Sequence, residues 1–306
     1  MTEPENVVSV RDLRKSYGDT AVVDGLTFDI RAGETFALLG PNGAGKSTAI
    51  EILEGYRSRS GGEVSVLGTD PQHGGVDWRA RLGIVLQETG ETGNVTVREQ
   101  LDQFSRYYAR PRDVDEVMSA VGLEGKGRML IRKLSGGQRR RVDVALGIVG
   151  RPELLFLDEP TTGFDPEARR NFWDLILRLK AEGTTILLTT HYLDEAAHLS
   201  DRVGVLLRGR LIDSGTLDEI GDAEARVPVV RWTDADGRHD VRSETPGAVV
   251  AALMESGREP ENLEIVRPSL EDVYLALVTD RDAADAAEAA HDPGADPARL
   301  ATEATR

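Results

Sequence analysis

Residues Gly40 to Thr48 read Gly-Pro-Asn-Gly-Ala-Gly-Lys-Ser-Thr, and few nine-residue stretches restrict a fold so tightly. The apolar run Phe36-Ala37-Leu38-Leu39 enters this stretch, and a helix-compatible segment from Lys46 to Leu53 leaves it. A strand, a glycine-rich turn and a helix in that order build the phosphate-binding P-loop. The chemistry demands these residue types. Glycines let successive backbone N–H groups of Gly40, Pro41, Asn42, Gly43, Ala44 and Gly45 turn around an anion (Pro41 contributing none), and the helix start adds partial positive charge. Lys46 can reach outer phosphates, the Ser47 hydroxyl can ligate Mg²⁺, and Thr48 continues the first helical turn. The alternative is a plain glycine-rich turn, which the flanking strand and helix disfavour.

The rest of the composition narrows the class. The 306 residues suffice for one large domain with an annex, and the net charge of −16 argues against a general nucleic-acid surface. With no cysteine and five scattered histidines, neither disulfides nor a thiolate or histidine metal site is expected. No apolar run approaches the length of a membrane span, and the polar, acidic first residues are unlike a signal peptide, so a soluble cytoplasmic chain is expected.

In chain order, strands are predicted at Val7–Val10, Ala21–Val23 and Leu26–Ile30, with Tyr17 in the basic-aromatic segment between the first two. Its ring could stack on adenine or be a plain surface aromatic. A strand over Glu63–Leu67 and a short buried one over Leu82–Leu86 follow, the latter ending at Gln87. A largely helical insert spans about 88–133, with a capping box from Thr96 to Glu99 and an N-cap at Asp113. Leu134-Ser135-Gly136-Gly137-Gln138 then precedes three arginines that open a helix to Val149. A Ser-Gly-Gly turn at a helix start is a second anion site, or only an N-cap before a solvated basic face.

The strand Leu154–Leu157 delivers Asp158 and Glu159 to its C-terminal end, where ligands bind in parallel sheets. Asp158 there can hold Mg²⁺, and Glu159 can polarise an attacking water. Phe164-Asp165 turns into a helix over Pro166–Lys180, and the buried strand Thr185–Thr190 ends at His191. That imidazole can contact a γ-phosphate or the attacking water. After a closing hairpin the composition shifts: a small α+β annex is expected over 221–278, and a disordered, acidic, alanine-rich tail over 279–306.

Gly40–Thr48, Leu134–Gln138 and Leu154–Pro160, in that order, resemble the nucleotide-binding subunit of an ATP-binding cassette transporter over about Val7 to Ile220. The resemblance implies an α/β P-loop NTPase cassette over residues 1–220, with an antiparallel β subdomain, a helical insert and the C-terminal annex. It implies ATP and Mg²⁺ as cofactors, Tyr17 on adenine, Lys46 on phosphate, and Ser47, Gln87 and Asp158 around the metal. Glu159 would be the catalytic base and His191 the γ-phosphate contact. Ser135, Gly136, Gly137 and Gln138 would complete the site of a facing cassette, expected to be a second copy, and Asp165 would serve communication across that dimer. Phe164 stands where a Leu is more usual.

Pro268-Ser269-Leu270-Glu271-Asp272-Val273-Tyr274 resembles the C-terminal element of drug-export cassettes of the daunorubicin-resistance type, or is an ordinary amphipathic helix. The resemblance implies a separate polytopic membrane permease as partner, a position on the inner face of the cell membrane, and no nucleic acid. The rival readings are a soluble cassette ATPase acting on nucleic acid or ribosomes, and an ATP-sensing regulatory subunit. No second cassette, coiled coil or zinc module supports the first, and intact Glu159 and His191 speak against the second.

Overall fold

The computed structural model describes residues 5–86, 94–255 and 260–291, with side chains to residue 281. The chain divides into two units, Met1–Asp218 and Glu219–Arg306.

The first unit opens with a long hairpin, β1 (Asn6–Tyr17) and β2 (Thr20–Arg31), where the sequence predicts three short strands. Register shifts between Val10 and Leu13 let the polar Arg11-Asp12 pair bulge without ending the strand, and Asp12 takes a left-handed φ of 46° there. The next strand, β3 (Thr35–Leu39), is buried along its whole length and runs through the Gly-rich turn into α1 (Lys46–Leu53). β4 (Gly61–Val66) pairs with β1, completing the antiparallel sheet β2-β1-β4. Its apolar face (Val8, Val10, Leu26, Ile30, Val64 and Val66) packs into one cluster with Ile50, Leu53 and Trp78. The short α2 (Val76–Arg79) carries Trp78, whose indole N–H donates to the Val66 carbonyl at 2.8 Å. Burial of that large ring with its one polar atom satisfied ties the antiparallel layer to the first helix.

β5 (Leu82–Val85) leads to the helical insert, α3 (Val97–Ser105) and α4 (Val114–Ala120). Both helices start as predicted: Thr96 and Glu99 form a reciprocal capping box, and Asp113 accepts from the N–H groups of Asp115 and Glu116. The helix α5 (Gly136–Ile148) starts three residues before the predicted Arg139, because Ser135 and Gln138 cap each other and extend the first turn over the two glycines. β6 (Leu154–Asp158), α6 (Pro166–Ala181), β7 (Thr185–Thr190), α7 (Leu193–Leu199), β8 (Arg202–Leu207) and β9 (Arg210–Thr216) finish the unit. The second sheet has the order β5-β6-β7-β3-β8-β9, parallel except for the terminal β8–β9 hairpin. Leu39 pairs with Thr190 and Asp158 with Thr189, so β3, β6 and β7 end level with one another. β3 thereby reaches one crevice with β6 and β7, which lie more than a hundred residues further along the chain.

The second unit is a three-stranded antiparallel sheet, β11-β10-β12, built from β10 (Val229–Asp234), β11 (Gly237–Arg242) and β12 (Glu261–Val266). Trp232 stacks on His239 across the hairpin, ring centroids 4.9 Å apart, and His239 Nε2 lies 2.8 Å from Asp234 Oδ1. α8 (Pro246–Glu255) and α9 (Leu270–His291) complete it. α9 continues thirteen residues past Val278, into the segment expected to be disordered. Alanine has the least cost of any residue in a helix, and it dominates this stretch. The remainder of the expected tail, 292–306, lies outside the described residues. Among the described residues no helix is long and apolar enough to cross a membrane.

Candidate functional site

The loop after β3 is shaped by contacts that exclude a side chain. A Cβ on Gly40 would sit 2.3 Å from the Leu206 carbonyl oxygen, and one on Gly45 would sit 2.6 Å from that of Val22. Gly45 caps α1 at φ 102°, in the left-handed region. The Gly209 N–H also donates to the Ala44 carbonyl at 2.9 Å, which pins the loop to the turn after β8. Asn42, Gly43, Ala44, Gly45, Lys46, Ser47 and Thr48, with Val22 and Glu159, line a polar cleft of about 340 Å³. The start of α1 points into it, so backbone N–H groups and helix dipole both favour an anion.

Lys46 is buried on the floor of this cleft, its ammonium donating to the carbonyls of Gly40 at 2.7 Å and Pro41 at 3.2 Å. Burial pulls its pKa below the ordinary value, while the nearby Glu159 and Asp158 carboxylates oppose that shift. Glu159 Oε1 lies 3.9 Å from Lys46 Nζ and 3.3 Å from His191 Nδ1. One carboxylate oxygen therefore sits between an ammonium and an imidazole, with the Glu159 side chain only 10% exposed. The Asp158 carboxylate, one residue earlier on the buried end of β6, accepts from the Thr189 hydroxyl.

The backbone of Glu159 is unusual. Its φ is 45°, a conformation an L-residue adopts at a cost of about 1–2 kcal/mol. Its N–H is held by Thr189, 3.1 Å from the carbonyl and 3.2 Å from the hydroxyl. This turn swings the carboxylate back over the cleft instead of along the strand.

Of the residues expected at the site, the structure gathers Asn42, Gly43, Ala44, Gly45, Lys46, Ser47, Thr48, Glu159 and His191, with Asp158 adjoining and Gly40 and Pro41 holding Lys46 by their carbonyls. Ser47 is exposed toward solvent at the cleft, and its hydroxyl with the Asp158 carboxylate offers hard oxygen donors. Among the described residues no group of three acidic, histidine or cysteine side chains could cage a metal. That donor set suits Mg²⁺, which keeps waters and takes phosphate oxygens as ligands beside one or two protein groups.

Other expected residues lie elsewhere. Tyr17 ends β1, 44% exposed, with Lys15 Nζ 5.0 Å and Arg57 Cζ 5.5 Å from its ring centroid. Ser135, Gly136, Gly137 and Gln138 form the start of α5, the first two exposed and the last two half-buried, and do not line the cleft. Asp165 caps α6, accepting from Ala168 N–H at 2.7 Å, and Phe164 packs edge-on against Phe172 at 5.9 Å. Gln87 falls outside the described residues.

Sequence reasoning missed three contributors. Val22 lines the cleft from β2 and carries no signal beyond its place in a strand. Thr189 braces both acids but reads as one more residue of a buried strand. Arg140 was readable only as part of a basic helix face, yet it is 6% exposed.

The sequence profile described as ABC transporter matches residues 23–162. The chain is 36% identical to the daunorubicin resistance ATP-binding protein DrrA3 of Streptomyces coeruleorubidus, the match covering 90% of this chain and 97% of that protein. It is 37% identical to the Nod factor export ATP-binding protein I of Rhizobium meliloti (strain 1021), covering 90% of this chain and 89% of that one. Among solved structures, cbiO1 from Clostridium perfringens, described as part of an ABC transporter complex, superposes with a TM-score of 0.63 at 30% identity over 70% of this chain and 89% of its own.

Proposed function

Since the chain belongs to the ATP-binding cassette (ABC) transporter family, we propose that it is the ATP-hydrolysing subunit of an exporter whose membrane-spanning permease is a separate chain. The relatives named for daunorubicin resistance and Nod factor export support efflux of a drug or antibiotic-like compound as the work done. The observation that carries the catalytic reading is the convergence of Lys46 and His191 on one oxygen of Glu159 at the anion cleft.

In this reading the loop N–H groups and Lys46 hold the β- and γ-phosphates of ATP. Ser47 and Asp158 would hold Mg²⁺, which would supply positive charge against the developing negative charge of the phosphates. Glu159 orients a water in line with the γ-phosphorus and accepts its proton as the new P–O bond forms and the bond to ADP breaks. His191, with Nδ1 3.3 Å from Glu159 Oε1, keeps that carboxylate aimed and contacts the γ-phosphate. Fixed donors around developing charge reduce the barrier because they need no reorganisation.

Ser135 to Gln138 lie on a partly exposed helix start outside the chain's own cleft, which supports their use on a second copy. Two chains would then close over two ATP molecules, with the γ-phosphate bridging Lys46 of one and Ser135 of the other. Hydrolysis removes that bridge and reopens the pair, so ATP and ADP favour different states. Leu86, beside Gln87 in sequence, and Tyr107, in the helical insert, are 56% and 70% exposed, which supports docking of the permease near those two segments. The chain would work on the inner face of the cell membrane.

The test is Glu159→Gln in the full chain, which keeps the shape but removes the base. With ATP-Mg²⁺ it is expected to accumulate as a dimer in light scattering and to retain a polytopic membrane protein when purified from solubilised membranes. A variant that stays monomeric at high concentration with ATP-Mg²⁺ refutes the two-chain sandwich. Recovery of soluble partners alone refutes the transport assignment.

A further inference from the structure

Arg140 sits in the second turn of α5, five residues after Ser135, with its guanidinium inside the protein. Its donors all go to backbone carbonyls at the ends of two other elements. Nε donates to Pro160 at 3.0 Å, Nη2 to Asp158 at 2.8 Å, and Nη1 to Leu86. Nη2 is also 3.5 Å from the Glu159 carbonyl oxygen.

The acceptors identify what the side chain does. Asp158 and Pro160 flank Glu159 on either side, so Arg140 grips the chain immediately before and after the left-handed residue. Thr189 holds the Glu159 N–H from the β7 side. A residue at positive φ persists only where its surroundings over-determine it. Here the bracket is complete: β7 on one side, one planar guanidinium on the other. Leu86, the third acceptor, is the residue directly before Gln87.

Burying a guanidinium costs several kcal/mol, and an apolar side chain would fill the same space without that cost. Desolvation lowers the pKa of Arg140, and attraction from Asp143, Asp158 and Glu195 offsets it, so the acids around it sustain the charge. A rigid five-donor fork offers three separated carbonyls at once what neither lysine nor glutamine can.

We propose that Arg140 is the positioning residue that keeps Glu159 in its reactive left-handed conformation and ties it to the helix beginning at Ser135 and to the segment entering Gln87. The proposal rests on the reading of Glu159 as the base of ATP hydrolysis. A shift at the start of α5, as a facing cassette engages it, is then transmitted through one side chain to the backbone of the catalytic carboxylate.

The test is a double-mutant cycle on the full chain, using single-turnover ATP hydrolysis and equilibrium ATP-Mg²⁺ binding. Arg140→Gln is expected to lower the hydrolysis rate by about 30- to 100-fold, the scale of an ångström-level misplacement of a reacting group. ATP affinity should stay within about threefold, because Arg140 does not touch the phosphate loop. In a Glu159→Gln background the same substitution should cost less than about threefold, since the group it positions is already gone. A fall in ATP affinity parallel to the rate, or the same fold loss in both backgrounds, overturns the proposal. If Glu159→Gln alone turns over normally, the base assignment itself fails, which is a separate result. Should Arg140→Gln fail to fold, Arg140→Lys carries the same comparison, with partial recovery expected because one ammonium cannot hold three carbonyls.

Discussion

Two glycines of the phosphate loop look equivalent in the sequence, yet the structure separates them by what a methyl group would meet. A Cβ on Gly43 meets nothing within 4 Å, whereas one on Gly45 lies 2.6 Å from the Val22 carbonyl oxygen. Both adopt left-handed backbone, φ 80° and 102°, so each alanine substitution carries a conformational cost of about 1–2 kcal/mol. Gly45→Ala adds a clash with a backbone atom, typically about 1–3 kcal/mol of overpacking. The Val22 carbonyl has little room to retreat: a Cβ on Gly209 would also lie 2.6 Å from it, and Asp24 N–H is bonded to the Gly209 carbonyl at 2.8 Å. The expected destabilisation is therefore about 2–5 kcal/mol for Gly45→Ala and about 1–2 kcal/mol for Gly43→Ala. Hydrogen exchange of peptides covering β3 and α1, followed in rising urea without nucleotide, reads the opening free energy at this loop. A fluorescent ATP analogue reads the site, where Gly45→Ala should weaken binding at least about tenfold, one kcal/mol-scale displacement of the loop being enough. Equal losses for the two variants would refute the argument that the Val22 contact, rather than glycine flexibility, sets the requirement.

Two further outcomes follow from other acidic groups. Glu54, at the end of α1, is 6% exposed, and burial, followed by the charges of Asp158 and Glu51, raises its pKa to about 8 from 4.5. The folded chain then holds a proton the unfolded chain has lost, so this group's contribution is full below pH 4.5 and declines as pH rises through about 8. Glu54→Gln should accordingly stabilise the nucleotide-free chain by up to about 3 kcal/mol at pH 7 and little at pH 4.5; a pH-independent difference in urea unfolding contradicts it. Asp165 caps α6, so Asp165→Ala should cost about 1 kcal/mol in the same unfolding assay while Asp165→Asn costs little. If Asn is as damaging as Ala, the charge at that position matters more than the cap.

Much of the site was legible because its parts are contiguous in the chain. The strand, turn and helix around Gly40–Thr48 are local, and α1 spans Lys46–Leu53 as the pattern predicts. The capping signals at Thr96, Asp113 and Ser135 are likewise read within four residues, since a cap is a bond between near neighbours. The amphipathic and buried-strand patterns placed most of the remaining elements to within a few residues. They failed where a bulge carried polar residues through β1 and where alanine carried α9 past Val278.

The order of the parallel sheet had no local signal. Any arrangement of β3, β6 and β7 satisfies their apolar runs, and it is packing that sets β7 between β6 and β3 and brings Asp158 level with Thr189. From that pairing come the bracing of Asp158 and Glu159 by Thr189, the left-handed turn at Glu159, and the 3.3 and 3.9 Å contacts with His191 and Lys46. Arg140 shows the division most plainly. Its sequence places it on a helix among other arginines, but only the fold, by closing α5 over the ends of β5 and β6, turns a solvated charge into a buried one with carbonyls as its partners. The chain alone determined which chemical groups were present and which segments were strand, loop or helix. Tertiary structure decided which groups meet, because contacts between residues far apart in sequence depend on how whole layers pack and not on any local pattern.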